Sequence, residues 1–92
     1  MAHLRSESHT RTIRAIPIWL LGEYLLEAGG TRSDPEEWRV KGAGWTARLT
    51  QVEDYEIGSL RVGQVRLRID GETEAVEGLL AALAPKLLRA GG

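Results

Sequence analysis

From Arg11 to Ile16 apolar and polar residues alternate, with Ile13 and Ala15 on one side and Thr12 and Arg14 on the other, the two-residue period of a short strand. The period then lengthens. Ile18, Leu21, Leu25 and Ala28 recur at three- and four-residue steps behind Pro17, a residue tolerated in the first turn of a helix, and Gly29-Gly30 stops the run. Residues 18–28 are therefore expected to be a helix. Leu20 and Tyr24 widen its apolar stripe and only Gly22, Glu23 and Glu27 interrupt it, which implies a helix either deeply packed or shared with another subunit.

The composition of TRSDPEE, residues 31–37, predicts a loop. Strand-like alternation returns over Trp38–Lys41, pauses at Gly42 and Gly44, and resumes over Trp45–Val52 with Trp45, Ala47 and Leu49 on one face. EDYEIGS, residues 53–59, carries the chain around to Leu60. Val65, Leu67 and Ile69 then face one way and Gln64, Arg66 and Arg68 the other, while Leu60 and Val62 fall on the opposite phase. A bulge at Gly63 would restore register.

A second helix is expected to open at Asp70-Gly71, with Glu72, Glu74 and Glu77 near its positive end and Lys86 and Arg89 near its negative end. Its stripe is Val76, Leu79, Leu80, Leu83 and Leu87, and Pro85 is expected to kink or interrupt it after Ala84. The order β-α-β-β-β-α predicts an α+β fold, a three- to four-stranded mainly antiparallel sheet with two helices packed on one face. Residues 1–10 read as a flexible arm and residues 11–92 as one domain.

Composition narrows the chemistry. Ninety-two residues provide one core, and the absence of cysteine excludes disulfides, thiolate metal sites and a cysteine nucleophile. The first residues hold no signal-length apolar run, and Pro17, Gly22 and Glu23 break the longest apolar stretch, so neither secretion nor membrane spanning is expected and the cytoplasm is the expected location. Net charge is −1, so only the arrangement of charge can speak about partners. Asparagine is absent and charged residues make up 27% of the chain, a balance that fits a thermophile.

That arrangement is uneven. The side of the sheet turned away from the helices is expected to carry Arg39, Lys41, Arg48, Arg66 and Arg68, with Arg48 directly opposite Arg66 or Arg68. Like charges so placed repel by about 0.2–1 kcal/mol. Carboxylates of a second subunit, a bound phosphate or nucleic-acid backbone, or solvent with Glu53, Asp54 and Glu56 folding back could offset this. Outward Thr46 and Thr50 offer no aromatic surface for stacking bases. Of the three tryptophans, Trp38 and Trp45 are expected in the core, and Trp19, with Leu20 and Tyr24, on an interface. His3 and His9 lack carboxylate neighbours in a fixed element, no metal site or cofactor is expected, and no nucleophile or acid–base pair is positioned.

GWTARLTQVEDYEIGSLRVGQVRLRIDGETEAV, residues 44–76, resembles small uncharacterised proteins of Thermus-type bacteria grouped as a domain of unknown function, which implies an α+β fold and no particular activity. Residues 17–89 resemble double-stranded RNA-binding domains in element order, but Glu72, Glu74 and Glu77 stand where those domains carry phosphate-holding lysines. The ending LLRAGG resembles ubiquitin-like and sulfur-carrier proteins, which present a terminal Gly-Gly carboxylate to an adenylating enzyme. In those proteins the tail leaves a final strand. Here a helix precedes Gly91-Gly92, and a glycine pair closing that helix is the simpler reading.

The first functional expectation is a non-enzymatic interaction module that self-associates through Trp19, Leu20 and Tyr24. Anion or nucleic-acid binding on the arginine face is one alternative, and a carrier acting through Gly91-Gly92 is another.

Overall fold

The computed structural model describes residues 5–34 and 36–89. Strands β1 (Ser6–Arg14), β2 (Thr31–Arg32), β3 (Trp38–Gly42), β4 (Trp45–Ile57) and β5 (Leu60–Glu72) form a sheet in the order β1-β5-β4-β3-β2. Every neighbouring pair is antiparallel. Helix α1 (Ile18–Glu27) connects β1 to β2, and α2 (Thr73–Arg89) follows β5.

One face of the sheet is apolar and covered, and the other is open. Ile13, Val40, Ala47, Leu49, Val65, Leu67 and Ile69 project inward at two-residue spacing and meet Leu21 and Leu25 of α1 and Val76, Leu79, Leu83 and Leu87 of α2 in a single buried cluster. The α+β class with both helices on one face agrees with the sequence pattern, but among the described residues the sheet has five strands. The additional strand is β2, two residues inside the stretch expected to be a loop, where Thr31 and Arg32 pair with Lys41 and Val40.

The expected arm is partly strand. Ser6–Thr10 extend β1 and pair with residues 68–72 of β5, so backbone pairing orders a segment without apolar alternation. Ala15 does not face the core beside Ile13. It has φ of 66°, a left-handed turn that ends the strand and lets Ile16 enter the core, while its N–H donates to the Gly63 carbonyl at 2.9 Å.

β4 and β5 are thirteen residues each, because EDYEIGS is strand through Ile57 rather than a connection and only Gly58-Ser59 make the turn. The bulge expected at Gly63 lies on the other strand. Val52 pairs with Gln64 and Tyr55 with Val62, so Glu53 and Asp54 together oppose Gly63. β5 therefore keeps its phase, and Leu60 and Val62 emerge on the open face instead of returning to the core.

Asp70 and Gly71 belong to β5, and α2 begins at Thr73. Pro85 lies inside α2 without ending it. It removes one backbone donor, whose acceptor would be the Ala81 carbonyl. Ala81 and Pro85 are both exposed, so water can satisfy that carbonyl while Leu83 and Leu87 hold both halves of the helix on the sheet. Lys86 pairs with Glu27 and lies 5.4 Å from the Tyr24 ring, tying the end of α2 to the end of α1.

The tryptophans divide by environment. Trp45 is buried over Gly42 and Gly30, where side chains would collide with its ring. Trp38 is half-buried between Gly22 of α1 and the Arg32 guanidinium, 3.6 Å from the ring centre. Trp19 is 57% exposed.

Candidate anion-binding face

The open face takes its charge from register. Arg39 of β3 pairs with Arg48 of β4, and Arg48 pairs with Arg68 of β5, so three guanidiniums stand in one row across three strands. Of the two registers open to Arg48, the structure adopts the one opposite Arg68. Arg66 lies in the next row between Thr12 and Thr50, and Lys41 lies beside Thr46. All five expected cations are thus on one face.

The repulsion is only partly compensated. Arg39 pairs with Glu37 at 3.5 Å and Arg68 with Asp70 at 3.0 Å. Asp70 also accepts a hydrogen bond from Ser8 of β1. Arg48, Arg66 and Lys41 make no ion pair or hydrogen bond among the described residues. Among the described residues Glu53, Asp54 and Glu56 form no ion pair with them: all three lie in β4, Glu56 pairs with Arg61 across the hairpin, and Glu53 shares a cavity with Arg66. A cavity of about 240 Å³ opens over the row, lined by Arg39, Thr46, Arg48, Arg68 and Asp70.

The hydrogen bonds from Ser8 and then Arg68, with the charges of Arg68 and Arg48, hold the Asp70 carboxyl below the ordinary value of 3.8. A depressed folded-state pKa contributes stability above the unfolded value, and that contribution is lost as pH falls through the folded one. Stability should therefore decline as pH is lowered through and beneath 3.8, and Asp70→Asn should flatten that part of the curve. Urea melts at a series of acidic pH values would show it, and parallel curves for the two proteins would contradict it.

The interface residues expected on α1 are not equivalent. Leu20 and Tyr24 pack against the core, and Tyr24 also carries Lys86, so Trp19 alone presents most of its surface to solvent. His9 lies in β1 opposite Ile69, whereas His3 and Gly91-Gly92 lie outside the described residues. Among the described residues no three His, Cys, Asp or Glu side chains come together as a metal site, and no helix is long and apolar enough to cross a membrane.

Sequence reasoning missed the apolar end of this face. Val52, Tyr55, Ile57, Leu60 and Val62 share the open side of the projecting end of the β4–β5 hairpin, with Ile57 55% and Leu60 67% exposed. Arg14 stacks 3.7 Å above Tyr55 and donates to Gln64, closing the polar part of the face against the apolar part. The signal lay in the opposite phase of Leu60 and Val62.

The family model for archaeal MoaD-like proteins matches residues 9–92. The chain belongs to the archaeal MoaD-like family. No curated protein matches it. The match spans β1 from His9, the arginine face, both helices and the terminal glycines, so this MoaD-like chain is covered from its first strand to its last residue. Among the described residues a seventeen-residue helix, rather than a strand, stands before the glycine pair.

Proposed function

We propose that this MoaD-like protein is a non-enzymatic binding module that holds an anionic partner on its open sheet face. The observation that carries the reading is the in-register row Arg39–Arg48–Arg68, with Arg48 lacking an ion pair among the described residues. Two like-charged cross-strand contacts cost the isolated fold about 0.2–1 kcal/mol each, and an anion bound over them would turn the same charges to its advantage. The aligned part of the face has threonine rather than aromatic neighbours, which favours contact with charge over stacking on bases.

Binding to polyglutamate should weaken as salt rises and fall about tenfold or more in the Arg48→Glu, Arg66→Glu double variant. Arg48→Gln should meanwhile leave stability unchanged or raised by a few tenths of a kcal/mol, because it relieves repulsion. Salt-independent binding, or a loss of stability matching the loss of binding, would count against the proposal.

A second reading follows from the family. A carrier would present the Gly91-Gly92 carboxylate to an adenylating enzyme, and deleting both glycines would then abolish ATP-dependent modification detected as a mass change. An unchanged mass in the intact protein with such an enzyme and ATP removes it. Self-association draws its support from the exposure of Trp19. Light scattering of Trp19→Ser against the parent chain tests it, and equal masses would leave α1 without that role.

A further inference from the structure

On the open face Arg48 lines one cavity together with two tethered arginines, a lining that differs from a simple basic patch, while Arg66 lines a separate cavity beside Glu53. Arg68 is fixed by Asp70, which accepts from both Nε and Nη2, and Asp70 is itself held by Ser8. Arg39 is tethered to Glu37. Between them Arg48 is unpaired among the described residues, and Thr46 adds a hydroxyl on the same side one pleat away. Strands are about 4.8 Å apart, so adjacent guanidiniums can reach different oxygens of one tetrahedral ion. A volume of about 240 Å³ admits such a group, and the lining contains no aromatic side chain to hold a base or ring.

From this arrangement we infer that the cavity holds a phosphate group that keeps a proton, received by Arg48, Arg68 and the Thr46 hydroxyl, with Asp70 accepting a hydrogen bond from its P–OH. The inference rests on the proposed reading of this face as an anion site and names the chemistry of the anion. Asp70 supplies the selectivity. It is ionised at neutral pH, its Oδ2 accepts only from Arg68, and a carboxylate oxygen has room for a second donor. Phosphate carries a proton at pH 7 and can supply that donor. Sulfate carries none and would set a bare oxygen against the carboxylate, so the site discriminates between ions of similar size and shape.

Amide and arginine Nε resonances should be followed by NMR while inorganic phosphate or sulfate is added to the full chain at pH 7 and constant ionic strength. Phosphate should give saturable shifts at Thr46, Arg48 and Arg68, and sulfate should bind about tenfold or more weakly, the worth of one charge-assisted hydrogen bond. Arg48→Gln should remove the response while retaining the parent thermal midpoint. Asp70→Asn should bring sulfate level with phosphate, since an amide can donate to either ion.

Equal affinity for the two ions in the parent chain, or no saturable response to phosphate, overturns the phosphate inference. If polyglutamate still binds in a salt- and Arg48-dependent way, the broader anion reading survives that failure. If polyglutamate does not bind either, both fall together.

Discussion

Gly71→Ala should lower the stability of the fold by about 3 kcal/mol or more, although it adds only one methyl group. A Cβ at this position would lie 2.2 Å from the Gly44 carbonyl oxygen and 2.8 Å from the Trp45 Cα. Both are backbone atoms, so no change of side-chain rotamer relieves the overlap. The surrounding structure resists a shift as well. Gly71 pairs with Glu7 on one side and Trp45 on the other, and the next residue, Glu72, donates to the Gly44 carbonyl at 2.9 Å.

Gly78 of α2 provides the opposite sign. Nothing lies within 4 Å of its added Cβ, so Gly78→Ala should stabilise by about 0.5–1 kcal/mol through helix propensity and reduced freedom of the unfolded chain. Chemical denaturation of the two variants beside the parent chain tests the pair. A Gly71→Ala midpoint equal to that of the parent would mean that the β3–β4 turn can move away from β5.

Ile69→Ala should cost about 2–5 kcal/mol, the range for truncating a buried aliphatic side chain. Ile69 is 0% exposed, and its cross-strand neighbours are His9 of β1 and Ala47 of β4. Ala47 has no side-chain length with which to fill the void. Strands on both sides and α2 above keep β5 from collapsing inward, so most of the cavity should persist. The urea midpoint should fall with little change in its slope. Arg66→Ala, on the open side of the same strand, should stay within about 0.5 kcal/mol of the parent. Similar losses for both would show that strand pairing, not burial on the inner face, dominates stability at β5.

The same contrast between faces explains how much of the site was legible. Alternation in residues 38–49 and 64–69 assigns Arg39, Lys41, Arg48, Arg66 and Arg68 to one side, because a one-residue error would place charge in the core. It does not determine which of them meet. Arg48 opposite Arg66 and Arg48 opposite Arg68 both preserve the inward face, and only the pairing set by the β4–β5 hairpin selects Arg68. That choice creates the row with Arg39 and brings Asp70 to the cavity's edge. The Ser8–Asp70 contact joins residues sixty-two positions apart, and Ser8 lies where the local pattern shows no strand.

The ribbon beyond the bulge taught a different lesson. The phase change at Gly63 was visible in the sequence and predicted a bulge in the right place along the sheet, but the extra residue resides in β4 at Glu53-Asp54. A bulge on either strand fits the same one-dimensional pattern. With it on β4, Tyr55 and Ile57 join Val62 and Leu60 on the open side, and the face gains an apolar end.

The sequence by itself determined the class: two helices of defined stripe, strands with one apolar face, no thiol chemistry, and a basic open side. Periodicity is sufficient for this because burial is decided by which residues can leave water. Tertiary structure decided the short β2, the strand identity of Ser6–Thr10, the passage of α2 through Pro85 and the alignment of three arginines. Each depends on partners distant in sequence: backbone groups offered by a neighbouring strand, or a sheet beneath both halves of a helix. Local pattern records a residue's preference for water, whereas register and pairing are set by the whole chain packing together.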